Sequence, residues 1–317
     1  MTVTTWRIPS ALNLALDSVT VAPDRTSATV GDRTVESESP RELRRLLAEA
    51  IYDVLHAGQH VEKNKLPFRL RDDELESRFA AAMPHRGTTV RARYHGARRT
   101  ANNGREMVLV ERDGVRVWVP ETAVPDTDAG PFVDLTVPAM RPALSPGFFL
   151  VDGSTPQPGR SEMLRVYVHL TAWEPAAEVF GRVLGVLEDG GVPYRAKILS
   201  SRLLYPRRDA LVVYLDRPWW PAAHLVAEAV RDQPGLGEAT SVFTEPLGPG
   251  VAVAWEPDDA RSAMKGLSFG QHRATALATA LLAEGDSFSE ALSEAFAEAG
   301  IDPVRPARNT SSSPFPD

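Results

Sequence analysis

The chain has no cysteine, so disulfides, thiolate catalysis and zinc–thiolate centres are excluded, and a cytoplasmic location is the simplest expectation. No apolar run approaches the ~20 residues of a membrane span, so no membrane partner is expected. The start, MTVTTWRIPSALNL, lacks the charged-then-apolar order of a secretion signal. No HExxH, Walker glycine loop or GxSxG occurs. The histidines, including His95 in the basic run Arg91–Arg99, show no metal-ligand spacing, so neither metal nor cofactor is expected. A net charge of −7 and the lack of an aromatic stacking motif argue against a nucleic-acid partner. Lysine is also scarce: Lys63, Lys65, Lys197 and Lys265 stand among 35 basic residues, in the Arg-rich, Ala-rich usage of a high-GC genome. Any anion site must therefore be built locally, mostly from arginine.

At 317 residues the chain has room for about two domains. An α+β fold is expected: N-terminal helices plus an antiparallel hairpin, then a C-terminal mixed sheet with helices. Ser39-Pro40 caps and opens a helix to about Ala57, with an apolar stripe of Leu43, Leu46, Leu47, Ile51, Val54 and Leu55. A second helix spans roughly 72–83. Strand patterns TTVRARY, EMVLVER and VRVWVP follow, the last two joined by the hairpin signal Asp113-Gly114. The stretch 154–162 is the expected boundary between an N-terminal recognition region (1–153) and a second α+β domain (160–302), with a disordered tail (303–317). The second half reads β-α-β-β-α-β-β-α-α, with strands at 164–170, 192–199, 210–215, near 240–244 and 250–255. Capping boxes are expected at Thr171–Glu174 and Ser268–Gln271, and Gly190-Gly191 stops the first helix.

Alternation on the strand 192–199 puts Arg195 and Lys197 on one face and Tyr194, Ala196 and Ile198 on the other. Most charged strand residues are simply solvated. Here Arg202, Arg207 and Arg208 follow closely, and like charge favours the neutral amine of a lysine. Lys197 is thus a candidate general base. Arg207 and Arg208 are candidates to grip an anion, or plain surface arginines, with Asp209 to orient or neutralise one of them. The Ser268-Phe-Gly-Gln271 turn offers free N–H groups, with Gln271, His272 and Arg273 close by, or is only a well-capped helix. His169, beside Tyr167, is more often structural in such a setting.

The order His169, Lys197, Arg208, Tyr214, Arg273 resembles that of the phosphothreonine lyases of type III secretion and of the lyase domains of class III and IV lanthipeptide synthetases. GVPYRAKIL, YPRRDALVVYL, SVFTEPLGPGVAVAWEP and SFGQHR resemble more closely the Hop A-type effector-like proteins, over roughly 145–284. Members of that group in peptide natural-product clusters look like the lyase subunits of class V lanthipeptide and thioamitide synthetases. The resemblance implies a phosphothreonine-lyase-like fold and β-elimination of phosphate from phosphoserine or phosphothreonine in a ribosomally made precursor peptide, giving dehydroalanine or dehydrobutyrine. It implies Lys197 as base, His169 or His272 as acid, Tyr214 as a further catalytic residue, and phosphate binding by Arg195, Arg207, Arg208, Arg273 and Gln271. It also implies a separate kinase-like partner subunit. The competing expectation is a non-catalytic scaffold that presents the precursor to that kinase.

Overall fold

The first element is α1 (Ser10–Leu16), followed by a small antiparallel sheet of β1 (Val19–Val21), β2 (Ser27–Val30) and β3 (Arg33–Glu36). The computed structural model describes residues 8–59, 67, 70–124, 130–141, 144–155, 157, 162–285 and 287–316. Lys63, Lys65 and part of the stretch 154–162 lie outside the described residues. Helix α2 (Pro40–Ile51) starts as its sequence predicts: the Ser39 hydroxyl accepts from Glu42 N–H, and Pro40 occupies the first turn. Its buried residues Leu43, Leu47, Ala50 and Ile51 recur at helical spacing. The helix continues as a π-helical stretch over Tyr52–Ala57, ended by Gly58 at φ 65°. Helix α3 (Asp73–Ala82) is capped by Asp72, which accepts from Leu75 N–H at 3.0 Å.

Strands β4 (Gly87–Thr100), β5 (Glu106–Arg112), β6 (Val115–Pro120) and β7 (Phe132–Pro138) form an antiparallel sheet in the order β6-β5-β4-β7. Asp113 (φ 52°) and Gly114 (φ 78°) make the two-residue turn between β5 and β6, as their dipeptide predicts. This sheet has a small apolar core of its own, including Val90, Val108, Val110, Val133 and Leu135. Its two ends meet, because Ala139 N–H donates to the Arg86 carbonyl at 2.9 Å.

The larger sheet is built from β8 (Phe148–Asp152), β9 (Met163–Leu170), β10 (Tyr194–Leu199), β11 (Arg207–Asp216), β12 (Glu245–Gly248) and β13 (Val251–Trp255). Its order is β12-β13-β9-β11-β10-β8. Every pair is antiparallel where a mixed sheet was expected. Helices α4 (Ala176–Asp189) and α5 (Ala222–Val230) lie between its strands in sequence, and α6 (Phe269–Leu281) and α7 (Phe288–Glu298) follow it. On one face Phe149 meets Phe79 of α3 and Phe180 of α4, at ring separations of 5.8 and 6.1 Å. On the other, Tyr167 meets Phe269 of α6 and His56 of the π-helical stretch, at 6.0 and 5.5 Å. The main core therefore takes residues from both sides of the expected 153/160 boundary.

Three local expectations give way to longer-range contacts. The Thr171–Glu174 box does not form; the Thr171 hydroxyl donates to the Gly235 carbonyl at 3.1 Å, and α4 starts five residues later, at Ala176. The strand expected near 240–244 is a turn, in which the Ser241 hydroxyl accepts from Phe243 N–H, and pairing begins at Glu245. Residues 303–316, expected within a disordered tail, pack on the body: Trp255 N–H donates to the Ala307 carbonyl, Asn309 is buried, and Phe315 packs edge-on to Trp255. Among the described residues no helix is long and apolar enough to cross a membrane.

Candidate active site

The alternation of β10 is realised as its sequence predicts: Arg195 is exposed, Lys197 half-buried, and Tyr194, Ala196 and Ile198 are buried on the opposite face. In register, Lys197 lies between Leu150 of β8 and Val212 of β11. Its ammonium sits 4.3 Å from the Phe148 ring centroid and 5.9 Å from that of Tyr214. It makes no ion pair or hydrogen bond with a described residue. Above it opens a cavity of about 620 Å³. Phe148, Lys197 and Tyr214 line it from the sheet, Ser268 and Gln271 from the start of α6, and Lys265 from the turn before α6.

Three further residues of the wall bear on its chemistry. Arg165 shares the sheet face of Tyr214, its register partner, and its guanidinium lies 5.1 Å from the Tyr214 ring centroid. Arg165 is buried and paired bidentately with Glu256, which also lines the cavity. Tyr52, from the π-helical stretch of the first half, closes one side. Its hydroxyl donates to Asp209 Oδ2 at 3.1 Å and accepts from Arg207 Nη2 at 2.9 Å. Alternation applied to RVYVHL finds Arg165 as readily as His169. No signal in the sequence marks Tyr52, because its placement depends on how the two halves pack.

The α6 N-terminus is capped as expected: Ser268 Oγ accepts from Gln271 N–H, and Gln271 Oε1 accepts from Ser268 N–H. The first-turn N–H groups of Phe269 and Gly270 have no intrahelical acceptor, and the helix dipole adds positive potential at this end. The acidic residues on the wall are largely offset. Asp259 is bound by Arg261 through two nitrogens, which holds its carboxyl well below the usual range. Glu256 is engaged by Arg165, whereas Lys197 and Lys265 make no ion pair with a described residue. The cavity can hold an anion next to an amine.

Of the residues given a catalytic or phosphate-binding role by the resemblance, Lys197, Tyr214 and Gln271 line this cavity and the others do not. His169 is two pairs farther along the sheet face, roughly 12 Å from Lys197 between Cα atoms. Its Nδ1 donates to the Ala239 carbonyl at 2.9 Å, and its ring rests on Gly237, where any Cβ would overlap it. His272 is fully buried, donating from Nε2 to Asp259 at 3.1 Å and accepting at Nδ1 from Arg273 at 2.7 Å. Burial, then the neighbouring Arg273 charge, pushes it down to about 4, so it is neutral. Arg273 is fully buried too. Its remaining nitrogens donate to the carbonyls of Pro306 and Arg308 and to Asn309 Oδ1, tying down the C-terminal segment.

The other arginines are likewise engaged. Arg207 grips Asp209 bidentately at 2.7 Å. Burial alone would raise the Asp209 carboxyl, but Arg207 outweighs it and holds the group low, with Lys197 adding through space. Arg208 donates to the Val54 and Leu55 carbonyls at the end of the π-helical stretch. Arg195 donates to Asp152 at 2.7 Å outside the cavity. The arginines expected to grip phosphate are thus held by other partners, and the basic side chains that do line the cavity are Lys197, Lys265 and Arg165.

No curated protein matches this sequence. The structure resembles an effector protein from Pseudomonas syringae pv. tomato strain DC3000 (13% identity, TM-score 0.48, 85% of this chain and 95% of that one). It also resembles one from Pseudomonas syringae pv. syringae strain 61 (17% identity, TM-score 0.41), of which it spans 62% with 51% of its own length. The model of the HopA1 effector protein family matches residues 139–308, more than half of the sequence and all of the larger sheet, and the chain belongs to that family.

Proposed function

We propose that the chain is a lyase that eliminates phosphate from phosphoserine or phosphothreonine of a ribosomally made precursor peptide. The observation that carries this reading is the Lys197 ammonium, without an ion pair among described residues, on the floor of a cationic cavity beside a helix N-terminus. An amine can act as a proton acceptor in a way that a guanidinium cannot. In the proposed step the neutral Lys197 amine takes the Cα proton. The electron pair left on Cα forms the Cα=Cβ bond, and the Cβ–O bond breaks to release phosphate. Lys265, the Arg165 guanidinium and the α6 N-terminus stabilise the departing charge. Tyr214 offers the wall hydroxyl that can give the leaving oxygen a proton, since the Tyr52 proton is held by Asp209. The product is dehydroalanine or dehydrobutyrine, and a separate kinase-like subunit supplies the phosphorylated substrate.

The test is to incubate the protein with chemically phosphorylated precursor and follow loss of phosphoric acid by mass spectrometry. A non-catalytic, precursor-presenting scaffold is the second reading, favoured by one observation: no histidine of the described residues lines the cavity, which leaves out the imidazole acid. Tight phosphopeptide binding without elimination would select it.

A further inference from the structure

We infer that the β6 edge of the four-stranded sheet is a docking strip for an extended peptide whose residues alternate acidic and apolar. Strand β6 pairs with β5 alone. In a two-residue hairpin the residues flanking the turn exchange hydrogen bonds, so Arg112–Val115, Val110–Val117 and Val108–Val119 are the bonded pairs. The N–H groups of Arg116 and Trp118 therefore point away from the sheet, where no described residue accepts them. Sheet edges are commonly blunted by lysine, proline or a bulge. Here the edge reads Val-Arg-Val-Trp-Val before its first proline, Pro120, and Val115 and Val117 are 61% and 43% exposed.

The two faces of this edge specify the partner. On the outer face lie Arg91, Arg93, Arg99 and Arg116, against Glu111 and Asp134. Arg99 stacks 4.5 Å from the Trp118 ring centroid, and Arg91 lies 5.4 Å from that of Phe132. Arg91, Arg93 and Arg99 make no ion pair with a described residue, in a chain whose net charge is −7. On the inner face the exposed Val115 and Val117 share the side of the sheet that carries the small core, Val117 being the register partner of the core residue Val110. A strand added beside β6 alternates its side chains between these faces, so its acidic residues meet Arg116 and the Arg99 that stacks on Trp118, with Arg91 and Arg93 adding positive potential from β4, and its apolar residues cover the valines. This surface is separate from the Lys197 cavity, and the inference stands whether or not that cavity eliminates phosphate.

The experiment uses the full chain and a short fluorescein-labelled peptide alternating glutamate and valine, without phosphate, followed by fluorescence anisotropy and amide hydrogen exchange. Binding is expected to protect the amides of Arg116 and Trp118, to exceed that of a lysine–valine peptide at least tenfold, and to be unchanged in Lys197→Arg. Arg99→Glu with Arg116→Glu, both surface changes, is expected to weaken binding at least tenfold. Equal affinity for the basic peptide, no effect of charge reversal, or protection confined to other strands would overturn the inference. Displacement of the peptide by a single-stranded RNA oligonucleotide that binds more tightly would overturn it in favour of a nucleic-acid surface.

Discussion

Tyr52 and Asp209, 157 residues apart in sequence, are joined by a hydrogen bond of 3.1 Å, and Arg207 reaches both of them. This contact clamps the end of the first long helix to β11 where its pairing register shifts. It makes the N-terminal half part of the wall of the candidate site.

Tyr52→Phe keeps the aromatic wall but deprives Arg207 and Asp209 of a partner inside the protein. We expect a loss of about 1–3 kcal/mol in urea denaturation. The cavity should still bind phosphopeptide, measured by calorimetric titration. An unchanged unfolding midpoint would show that the clamp is not part of the stability of the fold.

Lys197→Arg preserves charge and much of the length of the side chain but removes the proton acceptor. Elimination measured by mass spectrometry should fall by ~10²–10⁴-fold while phosphopeptide affinity stays within a few-fold. Retention of more than about a tenth of the activity would remove Lys197 from the role of general base.

His56 and His272 are both buried, and burial pushes each down to about 4 from 6.5. The unfolded chain therefore binds more protons than the folded one between about pH 6.5 and 4. The stabilisation from keeping them neutral is complete above the unfolded value and is lost as pH falls through that window. Each contributes a slope of up to ~1.4 kcal/mol per pH unit. Urea midpoints taken from pH 7 down to pH 4.5 should decline steadily; a flat profile would mean that neither imidazole is held neutral.

Arg273→Met leaves the Pro306 and Arg308 carbonyls and the Asn309 amide without their donor. Hydrogen exchange should accelerate across residues 303–316. Phosphopeptide affinity should change far less, because the guanidinium does not line the cavity. The opposite pattern, lost affinity with intact protection, would restore Arg273 as a phosphate ligand.

Gly270 lies against the His56 ring, and any Cβ there would overlap its carbon edge. Both residues are buried, so neither can step aside. Gly270→Ala should cost ~1–3 kcal/mol by overpacking. Calorimetric melting would read it as a lowered Tm.

What the sequence reveals of this site is what local periodicity can carry. Alternation around Lys197 and the Ser268–Gln271 box depend on residues within a few positions of each other, and both are present as predicted. Arg273 and Arg208 look alike in sequence as free cations, yet each is consumed by carbonyls: one set 33 to 35 residues downstream, the other more than 150 upstream. Tyr52 is invisible for the same reason, since helical periodicity says which face is apolar and not which strand it will meet. The acceptors of Arg273 also explain why the Pro-rich end, disordered by composition, is ordered in the fold.

The hydrogen bond between Ala139 and Arg86 has a topological consequence. The chain leaves the main body and returns to it at nearly the same point, so the small sheet built from Gly87–Pro138 is a graft on a closed scaffold, tied to it otherwise through Thr88 and Thr89, which donate to the Gly153 and Ser154 carbonyls. Joining Arg86 to Ala139 through a short turn would excise the small sheet with its private core and leave the register of the larger one untouched. Such a shortened protein keeps Tyr52, Arg165, Lys197 and the α6 N-terminus in place. The proposed elimination and the proposed peptide docking would then be physically detachable, able to change independently.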